Sequence, residues 1–189
     1  MKVKETYLNS CFVIEPKLFF DTRGYFYESF NKLNFEELLG INVKFVQDNE
    51  AFSNKGVLRG LHFQTGKYAQ AKLVRVIKGK VLDVVVDLRK NSKTFAKTFS
   101  CILSEENKKQ LFIPKGFAHG YLVLEDNTIF SYKCDCYYNK DFESGIRYND
   151  KQLNINWILK EEEIIISNKD KKLLNFDEYI KIEDAKLKQ

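Results

Sequence analysis

The stretch Gly56 to Asp87, GVLRGLHFQTGKYAQAKLVRVIKGKVLDVVVD, constrains the fold more than any other part of the chain. Its two β-rich runs are separated by polar turns too short to hold the crossover helix of a βαβ unit. Val57, Arg59, Leu61 and Phe63 share one strand parity; Leu58, Gly60, His62 and Gln64 share the other, so His62 can point to one side, toward a pocket. That parity puts Arg59 on the face opposite His62 unless the backbone bends. Lys72 falls in step with Val74 and Val76, and Asp83 with Val81 and Val85. A lysine and an aspartate facing an apolar interior must pair or serve a site. The pattern points to an enzyme.

The same short-strand rhythm runs along the chain. An edge strand is expected at Cys11 to Ile14, then a polar turn at Asp21 to Gly24 leading into a strand through Phe30. Arg23 at that turn and Glu28 among aromatics read either as surface charges or as site residues. Asn34, with Glu37 three positions on and Gly40 behind, predicts a short helix over Asn34 to Leu39. Val43 to Gln47 reads as a strand, with Asp48, Asn49 and Glu50 as turn or pocket groups. Further strands are expected at Ala96 to Leu103, Leu111 to Ile113, Phe117 to Leu124 and Thr128 past Cys136. Ser167 and Asp170 fit an ordinary capping box, and from Lys171 onward the residues fit a charged helix or a loose tail beginning near residue 175. Nine or ten short strands with little helix predict an all-β double-sheet jelly roll or barrel.

One domain is the expectation for 189 residues. Sixteen Phe and ten Tyr suit half-buried β faces and supply stacking surfaces for a planar ligand. The net charge of +5 is spread along the chain, which suits an anionic small ligand without implying nucleic acid. Cys11, Cys101, Cys134 and Cys136 lack CxxC spacing, and the start MKVKETYLN has no apolar leader; free thiols in a reducing cytosol are expected. No run reaches transmembrane length.

The chain has two histidines, His62 and His119, both in strand or turn contexts rich in glycine. A histidine base with a carboxylate partner is the recurrent way to remove a carbon acid's proton near neutral pH, and a neighbouring cation stabilises the oxyanion that forms. A three-histidine metal site is impossible within one chain, although carboxylates can substitute, so no metal is expected. No dinucleotide, Walker or zinc-ribbon pattern is present.

The runs FFDTRGYFYESF, FVQDNEAFSNKGVLRGLHFQTGKYAQAKLVRVIKGKVLDVVVDLR, NKKQLFIPKGFAHGYLVL and YKCDCYYNK also resemble the dTDP-4-dehydrorhamnose 3,5-epimerases, over roughly residues 10 to 172. The resemblance implies a homodimeric, cofactor-free and metal-free cupin-like jelly roll. Its substrate would be dTDP-4-dehydro-6-deoxy-D-glucose, inverted at C3 and C5. On the same grounds His62 would be the base with Asp170 as its partner, and Tyr132 the acid on the opposite sugar face. Lys72 would stabilise the enolate oxygen, held by Asp83. Arg59 and His119 would lie near the sugar and pyrophosphate, Gln47 and Asn49 would be polar pocket residues, and Tyr138 an aromatic at the nucleotide end. Arg23, Phe26 and Glu28 would reach the neighbouring subunit's nucleotide site, and Lys171 would approach phosphate. An epimerase acting at C3 or C5 alone and a catalytically silent nucleotide-sugar sensor are the alternatives on this scaffold. Lys93, Lys151 and Ile158 stand where the family often has proline, and Ala96 where it often has glycine, which bears on local backbone shape.

Overall fold

The computed structural model describes residues 1–186. Strands β1 (Lys2–Glu5) and β2 (Phe12–Glu15) are followed by a small hairpin, β3 (Phe19–Asp21) and β4 (Gly24–Phe26), and by helix α1 (Lys32–Leu39). Then come β5 (Gln47–Ser53), β6 (Val57–Gln64), β7 (Lys72–Lys78), β8 (Lys80–Asp87), β9 (Thr98–Ser104), β10 (Gln110–Ile113), β11 (Phe117–Val123) and β12 (Thr128–Cys134). The short strands β13 (Glu143–Gly145) and β14 (Ile165–Ile166) and helix α2 (Phe176–Lys186) complete the order. One sheet runs β1-β2-β10-β7-β12-β5, the other β13-β6-β11-β8-β9 with β14 parallel to β6. This is the expected all-β, cupin-like double sheet.

Alternation builds the core. Val74, Val76, Val81, Val85, Val123 and Phe130 point between the sheets, while Leu82, Val84 and Val86 point outward. The C-terminal third covers that outer face, burying Ile146, Trp157, Phe176 and Tyr179 against it. Residues 176–186, open between a charged helix and a loose tail in the sequence, are therefore helical and packed through Phe176 and Tyr179. The other sheet's outer face is covered by Phe35, Leu39 and Val43.

Several boundaries differ from the sequence reading. Helix α1 starts earlier because Asn31, not Asn34, is the cap, its side chain accepting from the Asn34 N–H; Gly40 closes it at φ 66° as expected. Cys11 to Ile14 is not an edge, since β2 lies between β1 and β10. The strand after the Asp21–Gly24 turn stops at Phe26, and β12 ends at Cys134. The strand placed at Val43 to Gln47 instead begins at Gln47, so Asp48, Asn49 and Glu50 are strand residues. At two departures from the family pattern the backbone is left-handed, with φ 60° at Ala96 and 58° at Ile158. Such a φ disfavours alanine and is closed to proline.

Candidate active site

The site forms where β6 crosses β11. His62 pairs with His119 and Arg59 with Tyr121, so three steps on β6 match two on β11. This bulge carries an extra residue, and it turns Arg59 and His62 to the same face. The parity reading that separated them is thus corrected by a bend at Gly60. Gly60 sits at φ 129°, and a Cβ there would lie 2.5 Å from the Gly120 Cα, so only glycine fits the crossing.

His62 Nε2 lies 2.7 Å from Asp170 Oδ1. The Asp170 N–H donates to Ser167 Oγ at 3.0 Å, so the local turn bond and the long-range pair coexist. Burial pushes the Asp170 pKa up, but the His62 hydrogen bond and charge and the Gly60 and Ser167 bonds outweigh it and hold the group below its ordinary value. The carboxylate therefore stays ionised beside the imidazole. Strand β14, laid along β6, brings this segment to the rim.

A second pair lies deeper. His119 Nε2 meets Asp83 at 2.9 and 3.1 Å, with the aspartate wholly buried. Burial lowers the His119 pKa and raises that of Asp83; their mutual attraction opposes both shifts. Asp83 thus hydrogen-bonds His119, and reaches Lys72 through charge alone. The Lys72 ammonium makes no hydrogen bond or ion pair with another described residue; it lies 5.9 Å from the Tyr132 ring centroid. Burial lowers its pKa, against the pull of Cys134, Asp83 and Glu143.

Two chambers of about 520 and 300 Å³ share His62, Lys72 and Tyr132 in their walls. His62 comes from one sheet, Lys72 and Tyr132 from the other. Arg59, His119, Tyr121 and Asp170 line the larger chamber; Gln47, Asn49, Tyr138 and Glu143 line the smaller. Burial raises the Tyr132 pKa, with Cys134 adding to the rise and Arg59 opposing it, which keeps the phenol protonated at neutral pH. Burial also pushes the Cys134 thiol up to about 11, and the Asn49 amide approaches its sulfur at 3.8 Å. Gln47 Oε1 accepts from the Tyr138 N–H at 3.0 Å. Among the described residues no cluster of His, Cys, Asp and Glu is arranged to hold a metal ion.

Arg23, Phe26 and Glu28 are not brought to this cleft. Arg23 is on the exposed hairpin turn, paired with Asp21, and Phe26 is 67% exposed. Glu28 accepts from Asn31 at 2.9 Å. Lys171 is exposed and its side chain does not line the cavity; Lys169, two residues earlier, does, and it bonds Glu143 Oε2 at 2.6 Å. Sequence reasoning missed Glu143, Lys169 and Tyr121. Tyr121 shares parity with His119 and was open to the same argument; Glu143 and Lys169 lie in pieces too short to carry a pattern.

A sandwich with a histidine against an ionised aspartate at one sheet, an unpaired amine and a neutral phenol on the other, and a cleft between them defines an acid–base enzyme for proton transfer at carbon. Residues 5–178 match the family described as dTDP-4-dehydrorhamnose 3,5-epimerase. A relative of that description from Escherichia coli (strain K12) is 50% identical over 182 residues, covering 96% of this chain and 98% of the relative. The crystal structure of the enzyme from Elizabethkingia anophelis superposes with a TM-score of 0.91 at 52% identity, covering 94% of this chain and 97% of that one. A Legionella pneumophila structure, in complex with dTDP-4-keto-L-rhamnose, gives 0.89 at 48% identity and 93% of each chain. The chain belongs to the dTDP-4-dehydrorhamnose 3,5-epimerase family, and is an isomerase of dTDP-sugars.

Proposed function

We propose that the chain, acting as one domain, converts dTDP-4-dehydro-6-deoxy-D-glucose to dTDP-4-dehydro-L-rhamnose by inverting C3 and C5, in dTDP-L-rhamnose biosynthesis. One observation carries the assignment of roles: His62 and Tyr132 face one cleft from opposite sheets, and the free Lys72 amine lines the same walls. Inversion needs a proton acceptor and a donor on opposite faces of the sugar.

The C4 ketone acidifies the protons on C3 and C5. With Nε2 turned to Asp170, the other ring nitrogen of His62 takes the proton, and the C–H electron pair moves into the C4 oxygen. Asp170 stabilises the imidazolium, and Lys72 the enolate oxygen. Tyr132 then returns a proton to the same carbon from the other face as the C4 ketone reforms. Because both neighbours of C4 undergo the same exchange, one base and one acid serve both carbons once the ring shifts. Asp83 and His119 shape the wall behind the sugar.

Gln47, Asn49, Arg59 and Tyr138 take the nucleotide diphosphate and its base, by charge, amide bonding and stacking. The exposed β3–β4 hairpin, standing off its own cleft, acts in a homodimer: Arg23, Phe26 and Glu28 complete the neighbour's nucleotide site. Lys171 approaches phosphate only by rearrangement, and Lys169 is better placed. No described helix is long and apolar enough to cross a membrane, which fits a cytoplasmic site of action. Incubation with the 4-keto substrate in D₂O, followed by NMR, tests this function. Deuterium and inversion at both carbons are expected; labelling at one carbon makes it a mono-epimerase, and none in folded, dTDP-binding protein excludes epimerisation of this sugar.

A further inference from the structure

One polar group in the larger chamber has no part in the chemistry above. Tyr121 lies on the inner face of β11, opposite Arg59 in register, and its ring is 5% exposed. The ring stacks on Phe130 with centroids 3.9 Å apart and an angle of 17°. That stack needs only a phenyl group. The hydroxyl makes no hydrogen bond to another described residue. Arg147 Nε is the sole fully enclosed side-chain nitrogen or oxygen without a partner among the described residues, so the Tyr121 hydroxyl is open to the chamber it lines. A ligand that fills the chamber encloses this hydroxyl. A buried phenol left without a partner then weakens binding unless the ligand supplies an acceptor.

Arg59 stands beside it, lining the same chamber and, among the described residues, held only by the Ser53 hydroxyl at 3.2 and 3.3 Å. Burial pushes the Tyr121 pKa up, against the influence of Arg59, so the phenol is a neutral donor. We propose that the Tyr121 hydroxyl donates a hydrogen bond to an acceptor oxygen of the bound dTDP-sugar next to Arg59, making Tyr121 a substrate-binding residue. This rests on the epimerase reading for the identity of the ligand. The contact is away from the reacting carbons, so it acts on ground state and transition state alike.

Tyr121→Phe keeps the stack and removes only the hydroxyl. Titration calorimetry with dTDP-glucose, which lacks the ketone, is expected to show binding weakened by about 5- to 20-fold. KM for the 4-keto substrate should rise similarly, with kcat within about threefold. Titration with dTDP alone locates the acceptor: equal weakening puts it on the diphosphate, and unchanged binding puts it on the sugar. Affinity for dTDP-glucose and KM both within about twofold of the parent would overturn the proposal, as would a fall in kcat with both unchanged. Because dTDP-glucose binding needs no turnover, a parent protein that binds it but exchanges no protons sinks the epimerase reading alone, and the comparison of affinities still decides the role of Tyr121.

Discussion

His62 and His119 each turn Nε2 to a single aspartate, at 2.7 Å to Asp170 and 2.9 Å to Asp83, yet the two pairs are built for different work. The His62 side chain is 31% exposed and opens on the cleft; His119 is 7% exposed, and Asp83 is wholly enclosed. Around Asp170, hydrogen bonds win over burial and keep the carboxylate charged. Around His119 and Asp83, burial wins and resists charge on both partners. In the proposed mechanism the same two residue types thus supply the base in one place and a fixed wall beside Lys72 in the other. Environment, not residue type, separates catalyst from scaffold.

The largest effect expected from breaking this contrast is on His62. His62→Ala should lower kcat by about 10²- to 10⁴-fold while dTDP affinity stays near the parent's, measured by turnover and calorimetry side by side. Activity close to the parent's would move the base elsewhere. Breaking the inner pair should read out as stability: Asp83→Ala leaves His119 without its partner and should cost about 1–3 kcal/mol in urea unfolding. An unchanged midpoint would show that the pair contributes nothing to the fold.

The smallest effect is in the pH dependence of stability. The Asp170 pKa is lowered from 3.8, so its contribution is present above that value and lost as pH falls through the folded one. The Asp83 pKa is raised from 3.8, so its contribution is present below that value and lost as pH rises through the folded one. Asp170→Asn should therefore flatten the acid-side decline of the urea midpoint, and Asp83→Asn the decline on raising pH from about 4. Slopes changed in the opposite sense would reverse the assignment of the two environments.

Part of this contrast is legible in the amino-acid order itself. Lys72 and Asp83 stand out as charges in step with core valines, and both do face the interior. Strand alternation also suffices for the two sheets. The bend at Gly60 is not legible, because a bulge depends on how Gly60 and Gly120 meet across strands rather than on either strand's own pattern. Strand β5 escapes because its inward residues, Gln47 and Asn49, are polar pocket groups that leave no apolar alternation to read. Asp170 pairs across 108 positions, and local pattern offers only its bond to Ser167; the family resemblance alone suggests the partner. Which aspartate meets His119 is likewise a matter of register between β8 and β11, which no local motif encodes.

The central claim is that abstraction by His62 and delivery by Tyr132 are separate acts performed from opposite sheets. Its most direct test is the ratio of deuterium exchange to inversion at C3 and C5 for Tyr132→Phe in D₂O, followed by NMR. The account predicts exchange that continues without efficient inversion, since the base remains and the opposite-face donor is gone. Equal loss of exchange and inversion would contradict it.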